Sequence, residues 1–416
     1  MGTSYGFGLH RRRARYVLGC CAGMMIAGCG EGEVSSGSNP PDGGTSWADG
    51  QIGRTEDATT RPDTGEPTVF PDPDYDPADF FEVDPLEGAG PVEQLLEEQL
   101  RSSTAHPQWL RSRQRLLFSM SIARSKTEPS YRPYAFDPQV ESYAQIIPNL
   151  MTLASVLPNP EHGGEVAWCK SFEAHGRFVC WISPKKARDE LIEVFDPFGP
   201  SPTSASLATD IHTADRTRGS RMKWLNDVVA TERGTLLFTT FKARHMRNHG
   251  AIVELDEHPE APLRHVFLGT EDASGPIALA MAGDGQTVYF TTRGSDEPES
   301  GALWRSAIDD RSELGEPELV IGNLTSPDGL AIDIASNLYV GSLNKVLVFS
   351  HAGELLGELV VREEVERRLR VTGLAFGGSD RKSLFITYGI RIQSGFQPHG
   401  THHGGLFRIS MPIPGR

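Results

Sequence analysis

One phrase recurs four times in this chain, and it limits what the chain can fold into more than any other feature. It reads "LNDVVATERGTLLFTTF" from Leu225, "IALAMAGDGQTVYFTT" from Ile277, "DGLAIDIASNLYVGSL" from Asp328 and "GLAFGGSDRKSLFITYG" from Gly373. With Asn226 as the phase marker, the spacings are 51, 51 and 45 residues. Each copy holds a short apolar strand, a polar turn and a second strand, and segments such as "GAIVELD", "GALWRSA", "KVLVFS" and "GLFRIS" supply a third. Self-similarity at such a period means stacked units. About four strands to 40–50 residues is the content of a propeller blade. Six blades fit between residues 145 and 416, so the predicted class is all-β, a six-bladed β-propeller.

The N-terminal part has a different composition. Residues 1–28 carry Arg11, Arg12, Arg13 and Arg15, then an apolar run from Tyr16 to Ala27, and read as a signal peptide. Roughly a dozen apolar residues cannot span ~30 Å of hydrocarbon as a helix. "IAGC" ending at Cys29 resembles the lipobox of bacterial lipoproteins, which implies lipidation of Cys29, export, and anchoring in the bacterial cell envelope. An ordinary cleaved signal is the alternative and would export the chain as well. Residues 29–100 read as a disordered acidic linker, with eighteen Asp and Glu against two Arg over 30–100. That stretch accounts for the acidity, because the whole chain is only −15. The near-neutral remainder excludes a nucleic-acid surface. Residues 101–144, with "QWLRSRQRLLFSM", show helical spacing and read as a short helical or irregular segment before a propeller over 145–416.

Two cysteines remain in the mature domain, Cys169 and Cys180 in "WCKSFEAHGRFVCW". A hairpin turning around Ala174 and His175 would set them face to face, and export would favour a cross-strand disulfide. A pair of small buried thiols is the other reading.

The phrases "LNDVVATERGTLLFTT", "SPDGLAIDIASNLYVGSLNKVLVFSHAGELLGELVV" and "TGLAFGGSDRKSLFITYGIRI" resemble the senescence-marker-protein/gluconolactonase (regucalcin-like) family of six-bladed propellers over about residues 160–416. The resemblance implies that the polar residue heading each inner strand points into a central channel. There, four such residues hold a divalent metal that activates water for lactone or ester hydrolysis. Carried across, the metal ligands fall on Asn226, on Asp328, which is also the catalytic base, and on Glu165 in "GGEVAW". Two further positions, Trp224 and Ile277, fall where the family contacts substrate or metal, and here become substrate-facing walls.

The departures matter, because a hard cation such as calcium wants six to eight oxygens and Ile277 supplies no side-chain donor. Calcium is the first expectation, with zinc, magnesium and manganese as alternatives. The expected partner is a small lactone or ester, with a monomeric chain and no membrane contact except through Cys29. The alternative is a non-catalytic propeller that binds a protein or carbohydrate at the tunnel mouth. His245 and His249, and His399, His402 and His403 in "QPHGTHHGG", form a rival zinc cluster or simply solvated loops.

Overall fold

The computed structural model describes residues 73–97, 102–111, 114–123, 129–145, 171–174, 177–182, 191–194, 205–208, 222–231, 235–243, 250–255, 264–268, 275–292, 301–309, 313–363, 369–390 and 404–416. These residues form an all-β propeller. Helix among them is limited to 3-10 turns, one at Pro77–Phe80 and one residue at Arg111, and none is long and apolar enough to cross a membrane.

The strands assemble into six four-stranded antiparallel sheets. The first sheet is β2 (Ser102–Leu110), β3 (Arg115–Ala123), β4 (Pro129–Asp137) and β5 (Ser142–Gln145). The second is β6 (Ser171–Ala174), β7 (Arg177–Ile182), β8 (Leu191–Val194) and β9 (Ala205–Ala208), described through its backbone pairing. The third is β10 (Met222–Ala230), β11 (Leu236–Ala243), β12 (Ala251–Leu255) and β13 (Arg264–Leu268). Next come β14 (Pro276–Met281), β15 (Thr287–Thr292), β16 (Gly301–Ala307) and β17 (Glu318–Leu324). The fifth sheet is β18 (Pro327–Ile332), β19 (Leu338–Ser342), β20 (Lys345–Phe349) and β21 (Leu355–Val360). The sixth is β22 (Leu369–Gly377), β23 (Ser383–Ile390) and β24 (Gly405–Ser410), completed by β1 (Glu93–Glu97) from far upstream. The strands read from the recurring phrase are therefore present, each phrase forming the first two strands of a sheet.

Apolar side chains explain why these sheets stack face to face. One cluster joins Tyr339, Val346 and Val348 of the fifth sheet to Leu374, Leu384, Ile386 and Phe407 of the sixth. Others join the fourth to the fifth (Ala278, Tyr289, Leu303 against Leu330, Leu338, Val340) and the third to the fourth (Leu237, Ile252 against Leu279, Phe290). The sixth meets the first where Trp109 stacks on Phe385 at 5.6 Å between ring centroids. Burial also falls off along each sheet. All six residues of the inner strand β18 are buried, whereas the outer strand β21 leaves Leu355 60% exposed. An inner strand flanked by sheets on both faces must be apolar throughout, so its sequence lacks the alternation of a half-buried strand.

Three expectations need correction. Residues 101–144 are not a helical segment, because they hold β2 to β5 and make a sheet of the ring. The spacing misleads there, since Leu116, Leu117 and Phe118 are all buried and a strand buried on both faces mimics a helix run. Between β2 and β3, Gln114 N–H donates to Arg111 O. The propeller thus begins well before residue 145.

The linker expected over 29–100 also ends earlier, because residues 73–97 pack on the domain. Tyr75 and Phe80 lie against Ile334, Ala335 and Ile413, and Leu86, Ala89 and Val92 against the cluster between the fifth and sixth sheets. The Tyr75 hydroxyl donates to Asp380 O at 3.0 Å. "VEQLL" has helix-forming residues, yet β1 covers the exposed edge of β24, and an unpaired edge costs more than a local preference gains. Glu93 and Arg408 pair at 2.6 Å across this seam.

The third correction concerns Cys169 and Cys180. Ala174 pairs with Arg177, which sets Cys180 opposite Ser171 in the register rather than opposite Cys169. The register of β6 with β7 is thus displaced by two residues from the symmetric pairing. Cys169, Cys29 and residues 1–28 lie outside the described residues.

One hydroxyl carries much of the seam between the first and sixth sheets. The Thr104 side chain accepts from Tyr388 N–H at 3.1 Å and lies against the carbonyl oxygens of Tyr388 and Gly405. Thr104→Val removes those partners in a buried place, so unfolding free energy should fall by about 1–3 kcal/mol, read from the urea midpoint.

Candidate functional site

An irregularity repeats at the head of each inner strand with described side chains. The register slips between Ala105 and Gln108 in β2, Leu225 and Val228 in β10, Pro276 and Leu279 in β14, Asp328 and Leu330 in β18, and Val371 and Gly373 in β22. A β-bulge breaks the period-2 alternation and re-aims a side chain. Asn226, Ile277 and Thr372 lie within the slips of their strands, and Asp328 is the last paired residue before its own. In the last sheet the equivalent residue is thus Thr372, one before Gly373.

These strand heads meet around one cavity. It has a volume of about 710 Å³, and Asn226, Asp328 and Thr372 all line it. The inner strands run the same way along the cavity, since heads touch heads. Asn226 reaches Ile277 O, and Thr372 reaches Thr104 O at 2.6 Å. At the other end of the strands the lining includes Arg111, Arg381 and Arg416. The C-terminal residues cross that end. Gly415 N–H donates to Arg381 O, Arg416 N–H to Ile332 O, and the Arg416 guanidinium to Gly283 O. The cavity therefore has an amide and carboxylate end and an arginine end.

Hydrogen bonds tie Asn226 and its neighbours to the next sheet. Its Nδ2 donates to Ile277 O at 2.9 Å, which leaves Oδ1 as the acceptor of the carboxamide. Thr239 Oγ1 donates to the same carbonyl at 2.7 Å and accepts from Asp227 N at 2.9 Å. The Asp227 carboxylate accepts from Val228 N at 2.7 Å within its own sheet and from Leu279 N at 2.8 Å in the next.

Asp328 is buried and is set by glycines. Gly329 has φ of 67°, a left-handed conformation that a side chain strains, and a Cβ there would meet Gly373 Cα at 2.8 Å. Opposite it, a Cβ on Gly341 would run into the Asp328 carbonyl oxygen and Val371 Cγ1. Below, the Asp333 carboxylate anchors the β18–β19 turn, accepting from Asn337 N at 2.8 Å, Asn337 Nδ2 at 2.9 Å and Tyr339 OH at 3.0 Å. Burial pushes its carboxyl above the usual range, and the Asn337 and Tyr339 hydrogen bonds pull against this.

The structure therefore brings together two of the three expected ligands. Glu165 lies outside the described residues, as do His245, His249, His399, His402 and His403. Trp224 lies in β10, but its side chain is outside the described set. Ile277 is not a substrate wall among the described contacts. It is fully buried, the cavity lining takes in Ala278 instead, and its carbonyl is what serves Asn226. Among the described residues, no three His, Cys, Asp or Glu side chains gather as a metal site. The sequence reading missed Thr239, Asp227 and Gly341. A signal existed in "LFTT", "YFTT" and "FIT", which place Thr239, Thr291 and Thr387 at one position of the second strand.

A ring of antiparallel sheets around an axial cavity, with polar residues heading the inner strands, defines a propeller with an axial site. Residues 201–389 match the family model described as SMP-30/Gluconolactonase/LRE-like region, and the chain resembles that family. Among solved structures it is similar to a luciferin-regenerating enzyme, at 17% identity and TM-score 0.54 over 79% of this chain and 97% of that one. A gluconolactonase from Xanthomonas campestris aligns at 16% identity and TM-score 0.53, covering 79% of this chain and 92% of its own. A calcium-binding protein, regucalcin, from Agrobacterium tumefaciens strain C58 aligns at 15% identity and TM-score 0.51, over 79% and 95%. At these identities the likeness is one of fold. Among curated proteins, none matches the sequence.

Gly341→Ala should push the Asp328 main chain out of place and cost about 1–3 kcal/mol of stability. Gly315→Ala is the control, because a Cβ there meets only Ala307 O at 3.7 Å. Paired thermal melts check the difference.

Proposed function

We propose that this chain is a six-bladed propeller that hydrolyses lactones or related esters, exported as a monomer and held in the bacterial cell envelope by lipid on Cys29. The observation that carries the reading is that Asn226 and Asp328, distant in sequence, line one axial cavity. The family match over 201–389 and the six stacked sheets support it. The "IAGC" stretch supports export and lipidation.

In this reading water attacks the lactone carbonyl carbon, and the carboxylate of Asp328 takes the proton that the water loses. The ring C–O bond then breaks, and the same proton passes to the departing alkoxide, giving the hydroxy acid. Asn226, with Nδ2 committed to Ile277 O, offers only its oxygen as an acceptor and orients the reacting groups.

Oxygen donors of this kind suit a hard divalent cation. Asp328, Asn226 and Glu165 would hold it, with calcium the best match and magnesium, manganese or zinc the alternatives. When bound, it would supply Lewis-acid polarisation of the carbonyl.

Purified protein is expected to hydrolyse members of a panel of five- and six-membered lactones and aryl esters assayed with each of the four cations. Asp328→Asn should lower kcat/KM by about 100-fold or more, and Asn226→Ala by roughly tenfold or more. A wild-type chain inert across the panel overturns the reading. It leaves the non-catalytic propeller that binds a protein or carbohydrate at the tunnel mouth, which Ile277 favours because its buried side chain brings no donor to the ring.

A further inference from the structure

We propose that Thr239 and Asp227 are positioning residues for Asn226, acting through the main-chain carbonyl of Ile277. The inference rests on the reading of Asn226 as a site residue.

The bulges free main-chain groups that a regular ladder would occupy. Asn226 and Asp227 fall between the register pairs Leu225–Thr240 and Val228–Phe238, and Ile277 and Ala278 between Pro276–Thr292 and Leu279–Phe290. Buried main-chain groups need other partners. In β14 one of these groups is met by a hydroxyl of the neighbouring strand, since Ala278 N–H donates to Thr291 Oγ1 at 3.1 Å. The equivalent hydroxyl in the Asn226 sheet is Thr239, which accepts from Asp227 N.

Here the arrangement goes further than structure alone requires. Thr239 also donates across the sheet boundary to Ile277 O, and the Asp227 carboxylate ties Val228 N to Leu279 N. Ile277 O and Leu279 N are thus both held from the third sheet, on either side of the bulge in the fourth. The carbonyl that receives Asn226 Nδ2 is fixed at two points along its strand. With Thr239 and Asn226 both on it, that oxygen has its two acceptor directions filled. The Asn226 carboxamide then has one favourable orientation, because a flip would set oxygen against oxygen.

This also accounts for the isoleucine. What position 277 supplies is a carbonyl oxygen, and any side chain that packs can accompany it. In the Asp328 sheet the hydroxyl position is Gly341, so that residue is placed by close backbone approach instead.

The test compares Thr239→Val, which keeps the shape and loses the hydroxyl, with Thr239→Ser, which keeps the hydroxyl. Hydrogen exchange of the Asn226 carboxamide protons is followed by NMR, with their resonances assigned by loss in Asn226→Ala. Lactone hydrolysis is measured on the same samples. Thr239→Val should speed carboxamide exchange by about tenfold or more and lower kcat by roughly tenfold with little change in KM. Thr239→Ser should restore both, and Asp227→Asn should behave like Thr239→Val. Unchanged carboxamide exchange in Thr239→Val, or equal damage in Thr239→Ser, overturns the proposal. If exchange responds as described while wild type hydrolyses no lactone, the positioning role stands and the hydrolase reading falls.

Discussion

The bulge at the head of each inner strand is the constraint from which the site follows. A regular inner strand, packed on both faces against neighbouring sheets, has no side chain pointing along the axis. Inserting one extra residue breaks the pleat at the same place in five strands and turns a residue toward the shared cavity. It also strips hydrogen-bond partners from the residues involved, so each bulge needs repair from outside its ladder. The repairs come from buried hydroxyls: Thr291 and Thr387 bond main-chain groups within their own sheets, and Thr239 also reaches across to the next. Site formation and ring cohesion are thus two results of one local defect.

Ring closure obeys the same economy of edges. Five sheets draw all four strands from consecutive sequence, while the sixth takes its outermost strand from Glu93–Glu97. Both ends of the described chain then converge beside the sixth sheet, with Tyr75 on Asp380 and Gly415 on Arg381. The C-terminal residues of this convergence cross the arginine end of the cavity, whereas Asn226 and Asp328 line it at the strand heads.

Much of this was legible in the sequence, for definite reasons. The phrases from Leu225, Ile277, Asp328 and Gly373 announce the repeat because inner and middle strands must be apolar and the turns between them polar. Asn226 and Asp328 stood out because a polar residue heading such a strand contradicts its surroundings. What stayed hidden was register. The helical spacing of "QWLRSRQRLLFSM" comes from strands buried on both faces, the pairing of β6 with β7 sets Cys180 opposite Ser171 instead of Cys169, and "VEQLL" pairs with a strand more than 300 residues away. None of these is fixed by local composition, since each depends on what packs or pairs against the segment.

Register also explains why a residue-by-residue transfer of ligands misjudges Ile277. A phase marker counts side chains, and on that count an isoleucine is a lost ligand. In the bulged strand the useful group at this position is the carbonyl oxygen, which accepts from both Asn226 and Thr239. Main-chain groups carry no sequence signature, so a position can change its side chain while its contribution to the site persists. The side chains that sense the difference are the donors around it, and in the next two sheets their place is taken by Thr291 and Gly341. A substitution at a ring position therefore bears on function through the neighbour's hydrogen bonds before it bears on function through its own side chain.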